Sequence, residues 1–155
     1  MGPAPHRMQQ VELAGLRIVD DAYNANPGSS AAALETLAEA RAALAPGGRF
    51  VAVLGEMREL GAASDEAHAV LGRKAVAAGV ELLVTVGDLA RPTHEAAAAA
   101  GLRSLQHLDE AAQVAEVLRA WTRPGDLVLL KASRGVGLER ALRDLYATAA
   151  AVVLP

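Results

Sequence analysis

Four short runs, Leu16-Arg17-Ile18-Val19, Phe50 to Leu54, Leu82 to Val86 and Leu127 to Leu130, are rich in valine and leucine and carry almost no alternating polar residue. Strands of that pattern bury both faces, as parallel strands covered by helices do. Segments of helical period lie between them. Ser29 to Ala45 places Leu34, Leu37, Ala38, Leu44 and Ala45 on one face before Pro46-Gly47-Gly48 ends it, and Leu138, Ala141, Leu142, Leu145 and Tyr146 follow i, i+3, i+4, i+7, i+8. Segments 64–79, 89–100 and 109–121 share the period, with Ser64 and Asp109 placed as N-caps, and a weaker strand is expected near Ser104 to His107. A hairpin turning at Ala14-Gly15 precedes the series. Alternation of this kind, with right-handed crossovers, predicts an α/β fold: a doubly wound, mostly parallel sheet of about six strands with helices on both faces.

The 155 residues fit one domain. A chain of this mass buries roughly two thirds of its unfolded surface, enough for an ordinary core. With 15 Lys+Arg against 18 Asp+Glu there is no basic footprint for a phosphate backbone, so nucleic acid is not an expected partner. No apolar run approaches the roughly 18 residues that span a bilayer, so a soluble protein with no membrane contact is expected. The lack of cysteine removes disulfides and thiolate zinc sites and fits a reducing, cytoplasmic setting. The opening MGPAPHRMQQ has two prolines and no apolar core. It reads as a connector over residues 1–10, with the domain proper at 11–155.

In open α/β sheets ligands bind beyond the carboxyl ends of the strands, and the residues there are unusually polar in this chain. After the first run comes Asp20-Asp21-Ala22-Tyr23-Asn24-Ala25-Asn26-Pro27, then Gly55-Glu56-Met57-Arg58, Gly87-Asp88, and Lys131-Ala132-Ser133-Arg134-Gly135. Asn26 and Pro27 suit the N-cap and N1 positions of a helix, which leaves Tyr23 and Asn24 open to a second use as a flat wall and a carboxamide for adenine or ribose. Glu56, at a strand terminus, is placed to receive a ligand amine. Arg58 and Glu59 read as a solvated charged turn, and Gly87-Asp88 as a turn and cap. Lys131, Ser133 and Arg134 precede a helix N-terminus, where a carboxylate or phosphate is favoured.

His6, His68, His94 and His107 show no metal-ligand spacing, so no metal is expected. There is no G-x-S-x-G elbow, no G-x-x-x-x-G-K-[ST] loop and no G-x-G-x-x-G at the first strand–helix unit. A stand-alone α/β nucleotide-binding module remains open on these grounds.

Pro5-His6-Arg7-Met8-Gln9, Val19-Asp20-Asp21-Ala22-Tyr23-Asn24-Ala25-Asn26-Pro27, Leu54-Gly55-Glu56-Met57-Arg58-Glu59-Leu60-Gly61 with His68, and Lys131-Ala132-Ser133-Arg134 with Leu138-Glu139 together resemble the C-terminal domain of the Mur ligases. The likeness runs from about Pro5 to Tyr146 and is greatest to the member that joins D-alanyl-D-alanine to UDP-N-acetylmuramoyl-tripeptide. Another Mur ligase is the alternative. His6 stands where glycine often precedes the arginine, Glu56 where Asp is usual, and Ala132 where glycine is usual. The resemblance implies a Rossmann-like domain that closes on a central ATPase domain and an N-terminal domain for the UDP-sugar, in a cytoplasmic enzyme of peptidoglycan synthesis. It implies ATP and Mg, held mainly by the central domain, and a reaction through an acyl phosphate. It also implies that this domain alone is inactive. Residue by residue, Arg7 is expected at the ATP phosphates, Asp21 on the nucleotide side, and Tyr23, Asn24 and Asn26 at the adenosine. Lys131, Ser133 and Arg134, with Glu56, are expected to face the incoming dipeptide.

Overall fold

The computed structural model describes residues 6–44 and 46–153, those from 148 onward as helical backbone only. Pro5 and Ala45, both used in the sequence reading, and residues 1–5 of the expected connector lie outside the described residues. Six strands form one sheet: β1 (Gln9–Leu13), β2 (Leu16–Asp21), β3 (Phe50–Gly55), β4 (Leu82–Val86), β5 (Leu105–Leu108) and β6 (Leu127–Lys131). Their spatial order is β1-β2-β6-β3-β4-β5. Only β1 runs antiparallel to its neighbour. Five helices, α1 (Pro27–Arg41), α2 (Ser64–Ala77), α3 (Arg91–Ala99), α4 (Val114–Trp121) and α5 (Glu139–Val153), connect or follow the parallel strands.

The pleat divides the core in two. Val19, Phe50, Ala52, Leu54, Leu83, Leu127 and Leu129 pack with α1, α2 and α3, while Ile18, Val51, Val53, Val84, Val128 and Leu130 pack with α4 and α5. Both faces are thus covered, which is why these strands read as continuous apolar runs. β1 and β5, at the edges, alternate or stay half-buried instead. On the α2–α3 face the helices approach so closely that a Cβ on Gly72 would collide with the carbonyl of Thr93.

Local chemistry sets the element ends. Ala14 (φ 53°) and Gly15 (φ 80°) make the two-residue turn between β1 and β2. The Asn26 side chain accepts from the Ser29 amide at 2.8 Å, and Ser29 Oγ accepts from the Asn26 amide at 3.2 Å, closing a capping box with Pro27 in the first turn. Four details differ from the periodicity. α1 stops at Arg41, so Leu44 packs only partly on the core. Tyr146 is 46% exposed, because α5 has turned its ring away from the sheet by that point. Ser64 begins α2 but bonds the His68 ring rather than capping. Glu110, not Asp109, caps the turn before α4, through Gln113.

At the amino ends of the strands, Asp126 is fully buried and accepts from Arg49 Nη2 (2.8 Å), Arg49 Nε (3.2 Å) and the amides of Arg49 (3.1 Å) and Arg123 (3.0 Å). Burial pushes its carboxyl up, but the hydrogen bonds from the Arg49 side chain and the two amides outweigh it and hold the group below its ordinary value. Asp126→Asn leaves the Arg49 guanidinium without its charged acceptor and is expected to lower stability by about 3 kcal/mol, read by urea unfolding at pH 7. A carboxyl depressed in the folded state stabilises fully above its unfolded value of about 4 and stops doing so as pH falls through the folded value. The gap between wild type and variant therefore closes on acidification below about pH 4.

Candidate functional site

Adjacent strands whose outgoing helices leave to opposite faces open a crevice at their carboxyl ends. β6 sits between β2 and β3; the helix after β6 packs on one face, and the helices after β2 and β3 on the other. Two clefts lie along this rim. One, of about 410 Å³, is lined by Arg7, Met8, Asp21, Tyr23, Asn24, Asn26 and Lys131 together with the first turns of α1. The other, of about 510 Å³, is lined by Glu56, Arg58, Gly87, Glu110, Arg140 and the Gly135–Gly137 turn, among others.

The first cleft is built on a buried ion pair. Lys131 Nζ lies 2.5 Å from Asp21 Oδ2 and is 4% exposed, so the last residues of β2 and β6 are joined side chain to side chain. The second oxygen of Asp21 accepts the Met8 amide at 3.0 Å. Because β1 is antiparallel to β2, its first residues return to this rim, and Arg7 comes with them. The Arg7 guanidinium carbon stands 4.0 Å from the Tyr23 ring centroid, and that of Arg134 stands 5.3 Å from it. Asn24 is exposed at the rim of this cleft, its Oδ1 accepting the Ala25 amide at 2.9 Å.

In the second cleft both Glu56 oxygens are used. Oε1 accepts from Arg58 Nε (3.2 Å) and Nη2 (3.0 Å), and Oε2 accepts the Leu89 amide at 2.9 Å. Gly87, at φ 94°, makes room: a Cβ there would lie 2.6 Å from the Glu56 carboxyl carbon. Ser133 is a strut between loops, accepting the Arg58 amide at 2.9 Å and donating to the Ala25 carbonyl at 3.4 Å. A Cβ on Gly135 would run into the Arg58 guanidinium, and one on Gly55 would lie 2.6 Å from the Ala132 Cβ. The loops after β2, β3, β4 and β6 are therefore interlocked.

Of the residues singled out from sequence, Arg7, Asp21, Tyr23, Asn24, Asn26 and Lys131 share the first cleft. Lys131 thus stands with the set expected at the nucleotide, as does the Arg134 guanidinium over Tyr23, while Glu56 lines the second cleft and Ser133 bridges the two loops. Arg58 reads in the sequence as a solvated charge, yet it ties Glu56 and Ser133 together. Its backbone and glycine contacts lie more than seventy residues away and leave no local signal. Asp20 also escapes the sequence reading: it is fully buried and its Oδ2 lies 2.6 Å from His6 Nδ1.

The histidines divide by surroundings. His68 is fully buried, its Nε2 accepting the Met57 amide at 2.9 Å and its Nδ1 donating to the Ser64 carbonyl at 2.8 Å. It is a strut that holds the Glu56–Arg58 loop on α2. Asp88, His107 and Asp109 bring three ligand-type atoms within 4.8 Å of one another, a grouping the sequence spacing hides. Arg91 already supplies the positive charge there, at 3.5 Å from Asp88 and 3.4 Å from Asp109. Burial first, then Arg91 and His94, push the His107 imidazole below its ordinary value.

An α/β domain with two polar clefts side by side at a strand-order switch has the doubly wound architecture, in which ligands bind at this crevice. The chain belongs to the Mur ligase family, matching the Mur ligase, glutamate ligase domain over residues 6–134. It is 42% identical, over 90% of its length, to the UDP-N-acetylmuramoyl-tripeptide--D-alanyl-D-alanine ligase of Mycobacterium leprae, and 34% identical, over 91%, to that of Escherichia coli. It spans 29% of the length of each. The fold superimposes on the MurF ligase of Thermotoga maritima in complex with ADP with a TM-score of 0.72 and 30% identity, covering 96% of this chain and 33% of that one. Among the described residues no helix is long and apolar enough to cross a membrane.

His68→Ala removes an acceptor from the Met57 amide and a donor from the Ser64 carbonyl, both interior. A loss of about 2–3 kcal/mol is expected in urea unfolding, and an unchanged midpoint contradicts the strut role.

Proposed function

We propose that this chain is the C-terminal domain of an ATP-dependent ligase that joins D-alanyl-D-alanine to UDP-N-acetylmuramoyl-tripeptide. The observation that carries the reading is the first cleft, where a flat ring, an exposed carboxamide and an arginine meet at the carboxyl ends of β2 and β6. The relatives of that name and the neighbour with ADP bound support it.

In the proposed enzyme, a central domain holds ATP and Mg and an N-terminal domain holds the UDP-sugar, with residues up to about 10 as the connector. Gln9 and Gln10 of that stretch already belong to β1. ATP transfers its terminal phosphoryl group to the tripeptide carboxylate. The dipeptide amine then attacks the acyl carbon, a C–N bond forms, the bond to phosphate breaks, and phosphate and a proton leave. This chain binds and orients. Arg7 reaches phosphate from the rim, Tyr23 and Asn24 receive the adenosine, and Asn26 holds the α1 N-terminus beside it. Asp21 and Lys131 neutralise each other and fix the cleft floor. The second cleft, with carboxylate and guanidinium groups together, suits a zwitterionic dipeptide: Arg58 and Arg140 toward its carboxylate, Glu56 toward its amine, Ser133 bracing the loops, and Arg134 reaching across from the Tyr23 side. Closure of the two domains assembles the reacting atoms and keeps water from the acyl phosphate, so the domain alone turns nothing over.

Steady-state kinetics of the full-length enzyme test the division. Asn24→Ala and Arg7→Ala are expected to raise the KM for ATP, and Arg58→Ala and Arg140→Ala the KM for the dipeptide, by roughly tenfold or more where a charge-assisted contact is lost. Unchanged constants in all four contradict the site assignment.

A further inference from the structure

We propose that Asp20 is a positioning residue of the first cleft: paired with His6, it holds the 6–8 segment in the backbone shape that lays the Arg7 guanidinium against Tyr23. The role of Arg7 at a nucleotide rests on the function proposed above, whereas the positioning itself rests on geometry alone.

Two non-glycine residues bracket Arg7 in the left-handed region, His6 at φ 59° and Met8 at φ 46°. Such conformations persist only where the surroundings over-determine them. Apart from the His6 amide, which donates to Gln9 Oε1 at 3.3 Å, the fixing contacts come from the end of β2 and the turn that follows it. His6 Nδ1 lies 2.6 Å from Asp20 Oδ2, the Tyr23 amide donates to the His6 carbonyl at 2.9 Å, and the Met8 amide donates to Asp21 Oδ1 at 3.0 Å. Gln9 then enters β1 opposite Asp20. The segment is pinned on both sides of residue 7, and the pinned shape brings the guanidinium carbon to 4.0 Å from the Tyr23 centroid.

Asp20 and Asp21 divide the work. Asp21 lines the cleft and is neutralised by Lys131. Asp20 does not line it, is fully buried, and spends its carboxylate on the His6 ring and, at 3.2 Å, on the Ala22 amide. A buried carboxylate is costly unless partnered. The His6 imidazole is the side-chain partner the fold supplies, and in accepting that contact Asp20 dictates where the preceding chain can run. It acts through Arg7 and meets no ligand itself.

Proton NMR of this 155-residue chain tests the geometry without any ligand. Cross-peaks between the Arg7 side chain and the Tyr23 ring are expected in wild type and lost in Asp20→Asn and His6→Ala, with the amide spectrum of the other strands unchanged. His6→Ala removes a partly exposed ring and so remains informative if Asp20→Asn folds poorly. Persistence of the cross-peaks in His6→Ala overturns the proposal. In the full-length enzyme, Asp20→Asn is expected to raise the KM for ATP and leave the KM for the dipeptide unchanged, and to add nothing on top of Arg7→Ala. Independent, additive losses overturn the positioning role. Cross-peaks lost with the ATP constants unmoved uphold the positioning and count against the nucleotide reading instead.

Discussion

The sheet depends on where its last strand goes. β6 enters between β2 and β3, and its helix leaves to the face opposite theirs. That one insertion separates the loops at the carboxyl ends and creates two clefts, one on each side of β6. It also carries Lys131 alongside Asp21, a pairing across 110 positions of sequence that closes the floor of the first cleft. A buried lysine–aspartate contact contributes little net stability once desolvation is counted. What it supplies is a fixed spacing between two strand ends, with the charge of each cancelled where a ligand approaches.

The antiparallel edge strand completes the arrangement. Had β1 run parallel to β2, residues 6–8 would lie at the far end of the sheet; running antiparallel, it returns them to the ligand rim. In the enzyme proposed above, the same segment leads to the ATPase domain, so Arg7, assigned there to the nucleotide, sits where relative motion of the two domains is transmitted. Glu56, Arg58, Ser133 and Gly135 interlock the remaining loops, and His68 fastens that network to α2. The rim is therefore a braced surface rather than a set of independent loops.

Much of this was legible in the sequence where burial is two-sided. β3, β4 and β6 stand out as apolar runs because each is covered on both faces, and the Ala14-Gly15 turn because its backbone needs positive φ. β5 is weak in sequence because it is a half-buried edge. The order of the strands was not legible, since no local pattern states that β6 inserts between β2 and β3. For the same reason Lys131 reads in sequence with its neighbours Ser133 and Arg134, whereas its side chain pairs with Asp21. Arg58 is the exposed charge its sequence setting suggests, but its contacts with Ser133 and Gly135 lie far along the chain and leave no local signal. Tyr146 kept the helical period and yet faces solvent, since periodicity gives direction around an axis but not where the sheet beneath it ends.

In the enzyme proposed above, the two sides of β6 serve two different ligands. A crystal structure of the full-length enzyme with an ATP analogue and D-alanyl-D-alanine bound decides this. The expected result places the nucleotide against Arg7, Tyr23 and Asn24 and the dipeptide in the cleft of Glu56, Arg58 and Arg140. A nucleotide that touches none of the first three residues, or both ligands on the same side of β6, contradicts it.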